Sequence, residues 1–195
     1  MALRVVTPPA VAPVSLAEAK AHLRLEESVD DTYVTGLVEA ARLYVEKTCE
    51  RGLVLQTVEL TTGPLLGTEE LPLPGGSLAA TPQLQVQYLD EDGVLQTLAS
   101  SEYFTLSGGD ARPARLYLVP DVTWPAMSER VDALRVQYRV GWATAAEVPA
   151  PLRHAVLLVV SQLYEHRTPE VTGTIATTLE LSLAALMAPY RFRSI

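Results

Sequence analysis

The chain has 195 residues, enough for one large domain or two small ones with a proper core. Apolar residues make up 48% and charged residues 19%, which excludes wholesale disorder. A formal charge of −8 excludes a surface that grips nucleic acid throughout, because phosphate contacts need Lys and Arg, and suits one that repels it.

Met1 to Pro13, rich in proline and valine, reads as an extended arm. Its first residues lack the apolar stretch and cleavage site of a secretory signal, and the single cysteine, Cys49, has no internal disulfide partner. Both fit a soluble product of the reducing cytoplasm. Ser15 and Glu18 form a capping box that opens a short first helix with Leu16, Ala19 and Leu23 on one face, and Val14 is placed to staple onto Ala19. The acidic link Glu26 to Asp31 supplies the cap and favourable charge for a second helix over Asp31–Cys49. Val34, Leu37, Val38, Ala41, Val45 and Thr48 make its apolar stripe, Tyr44 lies beside it, and Glu39, Arg42, Glu46 and Lys47 are expected on the wet side. Arg51-Gly52 is expected to end it, with the glycine left-handed.

After Gly52 the period changes to alternation. Val54 to Leu60 reads as a strand, and Pro64, Pro72, Pro74 and Gly75-Gly76 restrict any following strand to a short or edge position. Asp90-Glu91-Asp92-Gly93, between Leu84-Val86-Tyr88 and Val94-Leu95-Leu98, signals a hairpin. Further strands are predicted at Tyr103–Leu106, Arg115–Val119 and Asp132–Val140, separated by Gly108-Gly109-Asp110 and Trp124-Pro125. About six antiparallel strands suffice for a small sandwich or barrel.

Helical period returns from Pro149 to Arg167, where Leu152, Ala155, Val156, Val159, Val160, Leu163 and Tyr164 fall at helical spacing and prolines open the first turn. Leu157 and Leu158 widen the stripe, so this helix is expected to be nearly enclosed. Its apolar run is far short of the roughly 20 residues of a membrane span. A loop from Thr168 to Ala176 leads to a last helix from about Thr178 to Met187, stopped by Pro189. The order helix-helix, strands, helix-helix predicts an α+β fold. A helical domain is made by the N- and C-terminal segments (1–53 and 147–195), with an inserted antiparallel β-sandwich or barrel-like domain (54–146).

No chemistry-bearing motif emerges. His154 and His166 lie twelve residues apart on one helix, His22 is remote in sequence, and neither a cysteine pair nor an Asp-rich loop accompanies them, so no metal site is expected. Gly75-Gly76 and Gly108-Gly109 lack the lysine and helix of a phosphate cradle, and Ser107-Gly108-Gly109 lacks the first glycine of a nucleophile elbow. Cys49 reads as a small core residue. The sequence therefore points to no enzyme, no cofactor and no catalytic residue. The tail stands out: Arg191 and Arg193 alternate with Tyr190, Phe192 and Ile195, residue types that dominate interfaces and could add a strand to a partner's sheet.

The chain resembles the head-to-tail connector (adaptor) proteins of long-tailed bacteriophages and related gene transfer agents. The resemblance lies in Val14-Ser15-Leu16-Ala17-Glu18-Ala19-Lys20-Ala21-His22-Leu23-Arg24-Leu25, Asp30-Asp31, Ala40–Glu46, Pro151–Ala155 and Leu186–Arg191, roughly half the chain; the β part matches only in position and length. The tail departs from the family by running only four residues past Arg191. The resemblance implies a structural ring, usually of twelve copies, beneath the portal protein of the virion, with tail or stopper proteins docked below and DNA passing unbound through the lumen. It further implies that the C-terminal segment (Pro189, Tyr190, Arg191, Phe192, Arg193 and Ile195) reaches the portal. No membrane partner is implied. Alternatives are a stopper or tail terminator, which the opening helical pair argues against, and a small hydrolytic or ligand-binding β domain on helices, for which no pocket residues can be named.

Overall fold

Local sequence rules and apolar stripes set the helices. The computed structural model describes residues 1–65, 70–109, 112–166 and 176–192. The N-terminal arm contains strand β1 (Ala2–Thr7), followed by helices α1 (Leu16–Leu23) and α2 (Asp31–Cys49). The capping box is present: the Glu18 N–H donates to Ser15 Oγ, and the Ser15 N–H donates to Glu18 Oε2 at 2.8 Å. Left-handed residues end both helices, Arg24 at φ 58° and Glu50 at φ 55°. The expected terminator Gly52 is not used. It instead lets Gln56 close in, since a Cβ there would stand 2.4 Å from the Gln56 amide nitrogen.

The β part comprises β2 (Gln56–Thr62), β3 (Glu70–Leu73), β4 (Gln85–Leu89), β5 (Leu95–Thr97), β6 (Tyr103–Leu106), β7 (Ala114–Leu118) and β8 (Leu134–Val140). They form two antiparallel sheets, ordered β1-β2-β8-β4-β5 and β3-β7-β6, and among the described residues neither closes into a barrel. Val58, Leu60, Val86, Leu134, Val136 and Tyr138 of the larger sheet meet Leu71, Leu73, Ala114 and Leu116 of the smaller in one core. Tyr138 is buried there, and its hydroxyl donates to Pro74 O at 2.6 Å, which offsets the cost of burying it.

Helix α3 (Ala150–Glu165) starts on Pro149 with Pro151 in its first turn, and α4 (Ala176–Met187) follows. Thr168 and the predicted loop beyond it, Arg167 and Asp110 lie outside the described residues. Helix α3 packs on α1, α2 and α4, so residues from both ends of the chain share a second core. Val34, Val38, Ala41, Val45 and Cys49 of α2 meet Leu152, Ala155, Val156, Val159 and Val160 of α3, with Leu183 and Met187 of α4. Enclosure of α3 is incomplete: Leu157 and Leu158 are half-buried and Leu163 is exposed. The expected wet side of α2 also differs. Arg42 is buried because Glu39 and Glu46, one turn away on either side, both accept hydrogen bonds from its guanidinium. Strand β1 joins the sheet of the β part by pairing antiparallel with β2, with Leu3 opposite Leu60 and Val5 opposite Val58.

Candidate docking site

The segment after α4 is fastened to the body at its aromatic end. Ala188–Tyr190 make a single 3-10 turn, Arg191 is extended and exposed, and Phe192 is only 3% exposed. Phe192 donates its backbone N–H to Cys49 O at 3.1 Å, at the end of α2. The guanidinium carbon of Arg51 lies 4.7 Å from the centroid of the Phe192 ring and 4.7 Å from that of Trp142. A desolvated cation over two aromatic rings is a strong contact, because each ring presents its negative face to the charge. Arg51 also donates to Tyr190 O at 3.2 Å and to Ser77 Oγ at 2.9 Å. Through one side chain the helical part, the sheet and the C-terminal segment are joined. Close approach here requires glycine: Gly76 has φ 119°, and a Cβ on it would stand 3.0 Å from Arg51 Cβ.

Of the sequence-predicted tail residues, the structure thus sets Pro189 and Arg191 outward, half-buries Tyr190 and buries Phe192. Arg193 and Ile195 lie outside the described residues. Arg51 and Trp142 escaped the sequence reading, since nothing local marks residues 50 positions and more away from the tail as its anchor. Beside Phe192 a cavity of about 550 Å³ opens, lined by Leu3, Val5, Leu43, Val58 and Pro113, with Lys47 and Glu50 at its edge.

The other residues weighed for chemistry lie in or beside the helical part. Burial pushes the Cys49 thiol up to about 11, which disfavours the thiolate at neutral pH. His22 and His154 meet between α1 and α3, with ring centroids 6.1 Å apart in an edge-on arrangement. Burial, and then the facing His154, hold the His22 imidazole below its ordinary value. Next to them Arg153 pairs with Glu18, locking the start of α3 to the cap of α1. His166 stands just beyond α3 as its C-terminal cap. Among the described residues, no cluster of three or more His, Cys, Asp or Glu could hold a metal ion, and no helix is long and apolar enough to cross a membrane.

Residues 13–91 match the phage gp6-like head-tail connector protein family. The matched stretch holds α1, α2 and strands β2 to β4. Solved structures extend the likeness in fold to the whole chain. A chain of the virion of the native gene transfer agent (GTA) particle superposes with a TM-score of 0.79 at 22% identity, covering 100% of this chain and 97% of that one. Chains from the neck of the empty GTA particle, computed with C6 symmetry, and from the neck of the native particle, computed with C12 symmetry, give TM-scores of 0.78 and 0.76. Each of these two is 20% identical, with the same coverage of 100% and 97%. At such identities the shared property is the fold. No curated protein matches the sequence.

Proposed function

We propose that this chain is a non-catalytic head-to-tail connector of a phage or gene transfer agent particle. It closes into a ring, of twelve copies, between the portal at the capsid vertex and the tail, and DNA passes through the lumen. The observation that carries this reading is the connector-family match over residues 13–91 inside a fold shared, end to end, with chains of gene transfer agent necks. Symmetries of six and twelve belong to those necks, and a ring of this chain follows the same pattern. The net charge of −8 supports a conduit, because a wall that repels phosphate lets DNA slide without sticking.

Portal docking is assigned to the segment from Pro189 to Ile195. Phe192 acts as its root, while Arg191 and the residues beyond Phe192 are the part that reaches the portal. Deleting all of 190–195 would strip the ring from Arg51 and disturb the fold; deleting 193–195 leaves the root in place. Co-sedimentation of the shortened protein with the portal of its own particle tests this. Loss of binding with an unchanged melting curve is the expected result, and undiminished binding refutes the tail's role.

A further inference from the structure

Strand β1 reaches the larger sheet from far away in sequence, since α1 and α2 lie between it and its partner β2. Residues 8–14 carry the chain across from β1 to the helical part. That crossing is stiff and loosely held. It contains Pro8, Pro9 and Pro13 and bends at residues 10–11 and 13–14. Among the described residues, no backbone–backbone hydrogen bond ties residues 8–14 to the rest. At its far end Pro13 and Val14 are buried, whereas Pro8, Ala10 and Val11 are exposed.

The sheet needs this strand more than the strand needs its own sheet. All six residues of β1 are exposed, Leu3, Val5 and Val6 among them. On β2, by contrast, Glu59 is only 5% exposed, and its carboxylate accepts from Arg4 Nε and Gln137 Nε2, each at 2.8 Å. Without the arm that buried anion loses its cation, and β2 loses the ladder partners of Val58 to Thr61. The seat on β2 must therefore be filled, and the arm of any copy of this chain fills it with the same contacts. Which copy does so is decided by the crossing. Exchanging an identical arm changes only the path of the hinge, and short hinges favour such exchange.

We propose that β1 is exchanged on assembly: the arm of each chain leaves its own β2 and pairs, in the same register, with β2 of the next copy. The docking surface is the β2 edge with Glu59, and its occupant is the arm of a second copy of this chain. Passing each arm onward is a head-to-tail contact, the type that closes rings. The exchange rests on the ring reading above and names the strand that links the subunits. Ala2 and Thr61 stand directly opposite in the ladder, so cysteines there come within disulfide reach. Full-length Ala2→Cys/Thr61→Cys protein is assembled, oxidised and separated under denaturing conditions without reductant; Cys49 is buried and stays out of the reaction. A ladder of bonded chains ending at the closed ring is the expected result. Co-expressed Ala2→Cys and Thr61→Cys chains should likewise give a bonded pair holding one of each. Bonds confined to single chains, or no bond at all, in a protein that native mass spectrometry shows as a multimer would overturn the exchange while the ring reading stands. Chains that stay single, with bonds only inside each chain, alone and on the portal, would overturn both.

Discussion

Replacing Arg51 by alanine tests whether one side chain fastens the C-terminal segment. Arg51 is 2% exposed, its guanidinium lies over the rings of Trp142 and Phe192, and it donates to Tyr190 O and Ser77 Oγ. Each desolvated cation–π contact is worth about 1–2 kcal/mol, and each hydrogen bond from a charged donor about 1.5–3 kcal/mol. These do not add, and the cost of burying the cation opposes them, so a net loss of about 3 kcal/mol is expected. For a chain of this size that lowers Tm by roughly 6–12 °C. Urea titration measures the loss, and limited proteolysis locates it, since the segment after Met187 should be clipped first. A double-mutant cycle with Phe192→Ala should return a coupling of about 1–2 kcal/mol, because the two substitutions remove one shared contact. An Arg51→Ala protein with an unchanged urea midpoint and an uncut C-terminus would refute the reasoning, as would strict additivity.

Three further outcomes follow from the same structure. Leu152→Ala empties a site where residues from both ends of the chain meet, and should cost about 3 kcal/mol by urea titration. Cys49, with its thiol raised to about 11 by burial, should resist a thiol reagent at pH 8 in the native protein and react once per chain in denaturant. Acid should loosen the junction of α1 and α3 in two stages. The His22 imidazole is depressed, so the unfolded chain takes up its proton first; that stability is present above the ordinary value of 6.5 and lost as pH falls below it. Glu18 is depressed by its hydrogen bonds with the Ser15 N–H and hydroxyl and by Arg153, so its share is present above 4.5 and lost at still lower pH. Thermal melts from pH 7.5 to 4 should show Tm falling, with the first stage absent in His22→Gln.

Much of this was legible because the signals are local. The capping box at Ser15 and Glu18, both bounds of Asp31–Cys49, the hairpin around Asp90–Gly93 and the strand Tyr103–Leu106 each follow from residues a few positions apart. What failed was decided at a distance or by a neighbour's charge. A strand at Ala2–Thr7 with every residue exposed has no alternation to read; its partner lies more than fifty residues on. Arg42 looks like a surface residue until Glu39 and Glu46 close over it, and Glu50 ends α2 left-handed two residues before the glycine expected to do so. The tail was picked out by its alternation of aromatic and cationic residues. That pattern could not reveal that Phe192 turns inward onto Arg51, because the pocket receiving it is assembled from Cys49, Arg51 and Trp142.

The central claim is that copies of this chain close a ring on the portal of their particle. Electron cryo-microscopy of the purified protein mixed with that portal tests it directly. The account predicts a closed ring seated on the portal, twelve subunits around an open lumen. Particles of bare portal, with this protein left monomeric at concentrations far above those in an assembling cell, would contradict it.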